Sequence, residues 1–157
     1  GADMIRKSHH AELADDPFYV WSGACEGRWA LTLHKENSFV DLSTGASIRW
    51  NTKQSGGRVL RIILGLENGS WLVSEQGSEG TAGLKDPNVY SNINWAVVTL
   101  SLDTLQWRNL DINEVKEGGL LSSVNLNRVK YIGCTDLMPG GESEACSRLD
   151  WIEVYGK

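Results

Sequence analysis

The chain has 157 residues, the size of one ordinary domain, with 41% hydrophobic residues, 22% charged residues and 3 prolines, a balance that excludes a disordered or collagen-like chain. Its 15 basic residues stand against 20 acidic ones, net −5, and no basic cluster is long enough to neutralise a row of phosphates, so nucleic acid is not an expected partner. No apolar run approaches the roughly 18 residues that span a bilayer, and membrane insertion is not expected either.

Residues 1–17, with His9, His10, Asp15, Asp16 and Pro17, are polar and follow neither apolar period. They read as a flexible leader ahead of a single domain over 18–157. Gly1, where a start methionine would stand, reads as a processed or tag-cleaved start that leaves room for a lost export signal, and so for an extracellular or periplasmic location. Trp29, Leu31 and Leu33 alternate with polar neighbours as a half-buried strand, and Ile48, Trp50 and Thr52 do the same against Arg49, Asn51 and Lys53.

The sharpest local signal is RVLRIILGLENGSWLVSEQ, where Asn68-Gly69 stands between two apolar runs as a two-residue turn. Such a turn pairs Leu66 with Trp71 and Leu64 with Val73. It puts Leu60, Ile62, Leu64, Leu66, Trp71 and Val73 on a core face, and Arg61, Ile63, Gly65, Leu72, Ser74 and Gln76 on the other. Asn68-Gly69-Ser70 is also a glycosylation sequon, which the turn explains without a sugar. GSEGTAGLKDPN, residues 77–88, reads as a Gly-rich loop; no helix pattern follows it, as a phosphate cradle would require. INWAVVTLSL and LQWRNLDI give two more strands, and DINEVKEGG one helical turn stopped by Gly118-Gly119. RVKYIGCTDL is a strand, MPGGESEA a second Gly-rich loop and SRLDWIEVYG a terminal strand. Closely spaced strands with turn signals and no long helix predict an all-β, antiparallel sandwich or barrel.

The chemistry-bearing residues are few. The 3 cysteines include no CxxC pair and read as reduced, buried thiols, the alternative being a Cys134–Cys146 bridge with Cys25 free. Of the 7 Trp, alternation sends Trp29, Trp50 and Trp71 to the core, whereas Trp95, beside the long loop, is the better candidate to stack on a ligand ring. Glu75, Asp136 and Glu142 lie near strand ends or loops, but nothing in their spacing pairs them as glycoside hydrolysis needs. No nucleophile elbow or HExxH helix occurs, and His34 reads as a plain surface or packed histidine. Asp150 and Glu153 offer two oxygen ligands to a structural calcium; no other cofactor is expected.

The segments VDLSTGASIRWNTKQSGGRVLRIILGLENGSWLVSEQ, NINW, LQWRNLDI and SRLDWIEVYG together resemble the galactose-binding-domain-like β-sandwiches, with the similarity running over residues 20–156. The chain looks closest to uncharacterised bacterial members related to carbohydrate-binding modules, and is similar, more distantly, to the proteins called complex I intermediate-associated. The resemblance implies an antiparallel jelly-roll β-sandwich whose concave face or edge loops bind a glycan, often beside a structural calcium. Residues and resemblance together lead to a non-catalytic, lectin-like carbohydrate-binding module that takes a poly- or oligosaccharide on a polar concave sheet face. The alternatives are a protein-interaction or structural accessory domain, and a glycan-active hydrolase or lyase. The expected site is one groove lined by Arg49, Asn51, Lys53, Arg61, Ser74 and Gln76, with Asp136 and Trp95 at its rim.

Overall fold

The computed structural model describes residues 2–79, 95–139 and 145–157. Among these, every strand pair is antiparallel and the strands form two sheets. One sheet runs, in spatial order, β1 (Arg6–Ser8), β2 (Tyr19–Trp21), β11 (Ser147–Tyr155), β4 (Ser47–Gln54) and β7 (Ala96–Ser101). The other runs β3 (Leu31–Leu33), β10 (Val129–Thr135), β5 (Val59–Leu66), β6 (Trp71–Glu79), β8 (Trp107–Asp111) and β9 (Lys116–Leu120). Among the described residues, helix is confined to two short 3-10 turns, Ala2–Met4 and Leu102–Thr104.

Period-two alternation builds the core between the sheets. In β4, Ile48, Trp50 and Thr52 face inward and are fully buried, and they meet Leu60, Ile62 and Leu64 of β5 across the sandwich. Trp50 also donates its Nε1–H to the Ser78 hydroxyl of the opposite sheet, at 2.5 Å. That bond satisfies the one polar atom the buried indole carries. All three cysteines are buried and free, and burial pushes the Cys134 thiol up to about 12.

The structure departs from the sequence reading in four places. The segment expected to be a loose leader contributes β1, which pairs with β2, while Met4 and Ile5 pack against the core. A three-residue strand of polar residues shows no alternation to read, and its pairing rests on backbone hydrogen bonds. The segment 111–119 is a β-hairpin between β8 and β9 rather than a helical turn, because the Asp111 carboxylate accepts the Asn113 and Glu114 amides and Val115 takes a positive φ of 49°. Strand β6 runs on through Glu79, so the loop expected from residue 77 starts later. Its remainder, like residues 140–144 of the second Gly-rich loop with Glu142, lies outside the described residues.

The fourth departure turns the hairpin by one residue. Leu66 N–H bonds to the Ser70 carbonyl and Gly69 N–H to the Leu66 carbonyl, and Gly69 carries the one positive φ of the turn, +86°. This is a three-residue loop, Glu67-Asn68-Gly69, whose glycine takes the left-handed position. The observed pairs are Gly65 with Trp71, Leu64 with Leu72 and Ile63 with Val73. Because side chains alternate, the shift moves Trp71 and Val73 from the core face to the outer face and brings Leu72 into the core.

Candidate functional site

The expected groove does not form, because its residues are divided between the two sheets. Arg49, Asn51 and Lys53 lie on the outer side of β4, in the five-stranded sheet, whereas Arg61 lies on the outer side of β5, in the six-stranded sheet. The link between β4 and β5 passes through Gly56 and Gly57, at φ of +68° and +73°, and carries the chain from one sheet to the other. A Cβ on Gly56 would stand 2.3 Å from that of Ala145, so the crossing needs glycine both for its backbone and for its space.

The other expected site residues have structural partners. Ser74 is fully buried where β6 bulges: its hydroxyl accepts the Ile62 amide at 3.0 Å and donates to the Gln76 carbonyl at 2.6 Å. Gln76 accepts the Gln106 amide on Oε1. Asp136 is buried at the end of β10, where it accepts from Arg58 at 3.0 Å and from the Ser147 hydroxyl at 2.9 Å, and so joins the two sheets rather than rimming a groove. Trp95 packs against Tyr19, ring centroids 5.2 Å apart, beside the five-stranded sheet. Asp150 accepts from Asn51, and Glu153 accepts from Arg49 at 3.2 Å and from Tyr155 at 2.9 Å. Two carboxylates so engaged, one against a guanidinium, do not fit a calcium ion, which takes about six to eight oxygens. Among the described residues no group of three His, Cys, Asp or Glu is placed to hold a metal.

The outer face of the six-stranded sheet carries a different constellation. Tyr131 of β10, Gly65 of β5 and Trp71 of β6 stand side by side in register across three adjacent strands. The central residue is the reason the outer two meet: a Cβ on Gly65 would lie 2.8 Å from the Tyr131 ring and 3.0 Å from that of Trp71. With only hydrogen there, both rings lean over the glycine until their centroids are 5.2 Å apart and their planes differ by 26°. His34 packs against the far side of Tyr131 at 4.9 Å. Both rings of the pair are half-buried and keep part of their surface open.

Next to this shelf, Ile63, Val73 and Leu110 form a second small apolar cluster, with Trp71, Ala30 and Leu137 against it. Paired charges lie on the same face. Arg61 reaches Glu117 at 2.8 Å, spanning β6 and β8, and Arg108 bonds Glu75 with Glu117 at 3.7 Å. Arg108 holds the Glu75 carboxyl below the usual carboxylate range. The two arginines and two glutamates balance one another and leave the face rich in fixed donors and acceptors, while Lys130 Nζ lies 5.2 Å from the Tyr131 ring. Trp71, Tyr131, Arg108 and Glu117 were not among the residues expected from the sequence; the interior glycine of RIILGLENGSW was the available sign, since a glycine inside a strand marks a close approach.

No family model matches the chain, and no curated protein matches it. Among solved structures it is similar to the family 11 carbohydrate-binding module of the cellulosomal cellulase Lic26A-Cel5E of Clostridium thermocellum, at a TM-score of 0.55 and 14% identity over 98% of this chain and 82% of that one. The fold is a jelly-roll β-sandwich. The expected all-β, antiparallel architecture is therefore the observed one, although the division of strands between its sheets differs from that assumed for the groove.

Proposed function

We propose that this chain is a non-catalytic carbohydrate-binding module, and that it takes a neutral poly- or oligosaccharide on the outer face of its six-stranded sheet. The observation that carries the reading is the Trp71–Tyr131 pair laid over Gly65. A pyranose ring has apolar C–H faces and a polar rim of hydroxyls; two adjacent aromatic rings match the first, and the Arg61, Arg108, Glu75 and Glu117 side chains match the second. The paired charges favour a neutral chain over a uronate, because each guanidinium already faces a carboxylate. The likeness in fold to a carbohydrate-binding module supports the same reading by analogy. Against the hydrolase alternative, Glu75 and Glu117 are both engaged by Arg108, so neither stands free as one of the two carboxyl groups that glycoside hydrolysis needs. A module that meets polysaccharide works outside the cytoplasm, in the extracellular space or the periplasm.

The test is intrinsic Trp fluorescence during titration with neutral and uronate-containing polysaccharides. A saturable change with a neutral glycan, weakened at least about tenfold in Tyr131→Ala, is the expected result. A flat response to every glycan would overturn the proposal and favour an accessory role, and saturation unaffected by Tyr131→Ala would overturn the placement of the glycan on this face.

A further inference from the structure

A second site is built on the opposite side of the same sheet. A cleft of about 300 Å³ opens between the hairpin turn after β5, the edge of β8 and the segment 121–128, at the lower end of the range for small-molecule pockets, about 300–1,000 Å³. Its floor is apolar: Leu72 belongs to the main core, and Leu121 and Val124 pack on that core. Its walls carry four asparagines, Asn68, Asn109, Asn125 and Asn127. Two of these amides are oriented by their own turns. Asn68 Oδ1 accepts the Ser70 amide at 3.0 Å, and Asn125 Oδ1 accepts the Asn127 amide at 3.1 Å, which leaves each NH₂ group as a fixed donor on one of the two walls. The Asn109 and Asn127 side chains make no hydrogen bond among the described residues, so both donor and acceptor remain there. The charged pair at the margin, Glu67 with Arg128, is bonded to itself.

We infer that this cleft binds a single neutral, hydroxyl-rich ring, a monosaccharide unit, independently of the aromatic shelf. An apolar floor suits the C–H face of such a ring. Planar amides that together offer donors and acceptors, two of them held by their own turns, suit vicinal hydroxyls, which also offer both. With Glu67 and Arg128 already neutralised by each other, nothing in the cleft selects an ion. Alternation keeps the two sites apart, since Leu72 and Trp71 are neighbours in β6 that point to opposite faces. The cleft therefore adds a second point of attachment, which would raise the avidity of the chain for a branched or multi-ended glycan.

Backbone amide shifts during titration with glucose, galactose, mannose and xylose, and with galacturonate as a charged control, test this directly. At least one neutral sugar should shift residues 68–70 together with residues 123–127, saturating at millimolar concentration. Asn109→Ala and, separately, Asn127→Ala should each weaken that response about tenfold, while Trp71→Ala leaves it intact. The inference is overturned if no neutral sugar saturates those shifts, if both asparagine variants bind as the parent does, or if the response disappears with Trp71→Ala. In the last case sugar binding belongs to the shelf alone, and the function proposed above stands without a second site.

Discussion

The outer faces of the two sheets carry the same kinds of side chain to opposite ends. On the five-stranded sheet, Arg49 lies over the Trp151 ring at 5.2 Å and pairs with Glu153, and Asn51 bonds Asp150. Farther along that face Lys53, Arg148 and Asp16 are all nearly buried, at 3%, 6% and 8% exposure. Burial first, then repulsion from Arg148, lowers the Lys53 ammonium to about 8, and Asp16 partly offsets this. Here a guanidinium lies over the ring and the charges serve the fold. On the six-stranded sheet the charges bond each other in the open, and Gly65 leaves room for two rings that keep exposed surface. What distinguishes the six-stranded face is therefore its smallest residue, Gly65, which lets two rings lie side by side.

Four changes sharpen or break this contrast. The largest effect is expected for Asp16→Ala, which removes the buried carboxylate that accepts the His10 amide and favours the Lys53 ammonium. Chemical denaturation should show a loss of about 3 kcal/mol. Next comes pH. A lysine whose folded value is near 8, against the usual 10.5, binds fewer protons folded than unfolded between those values. Its penalty is full below pH 8 and is relieved as pH rises toward 10.5, by at most about 3 kcal/mol. Urea midpoints measured across that window should therefore rise more in the wild type than in Lys53→Met; parallel curves would mean that Lys53 is not destabilised by burial. Gly65→Ala should cost about 1 to 3 kcal/mol through overpacking against Tyr131 and Trp71, and should also impair glycan binding, a double effect that thermal melting and calorimetry would separate. The smallest change is Glu117→Ala, where loss of an open ion pair should cost less than about 1 kcal/mol. A larger loss of stability there would erase the distinction between the two faces.

Much of the fold was legible in the residues, because alternation in β4, β5, β8, β10 and β11 is a local signal that packing merely completes. The site was less so, and one turn explains most of the difference. Asn68-Gly69 suits a two-residue turn, but Glu67-Asn68-Gly69 with a left-handed glycine suits a three-residue one equally well. Choosing the first inverted the faces of β6, which hid Trp71 in the core and offered Ser74 as a ligand contact. The pairing of Arg49 with Arg61 failed for a different reason: consecutive strands with compatible outward chemistry carry no mark of the sheet to which each belongs. Tyr131 stands opposite Gly65 only through a pairing 66 residues apart in sequence, and no local pattern reports that.

The central claim is that glycan binds on the six-stranded sheet and not on the five-stranded one. Isothermal titration of one saturating neutral glycan against Trp71→Ala and Trp151→Ala compares the faces through a single type of residue. The account predicts that Trp71→Ala weakens binding at least tenfold, about 1.4 kcal/mol, while Trp151→Ala binds as the parent does. Loss of binding in Trp151→Ala with unchanged affinity in Trp71→Ala would contradict it.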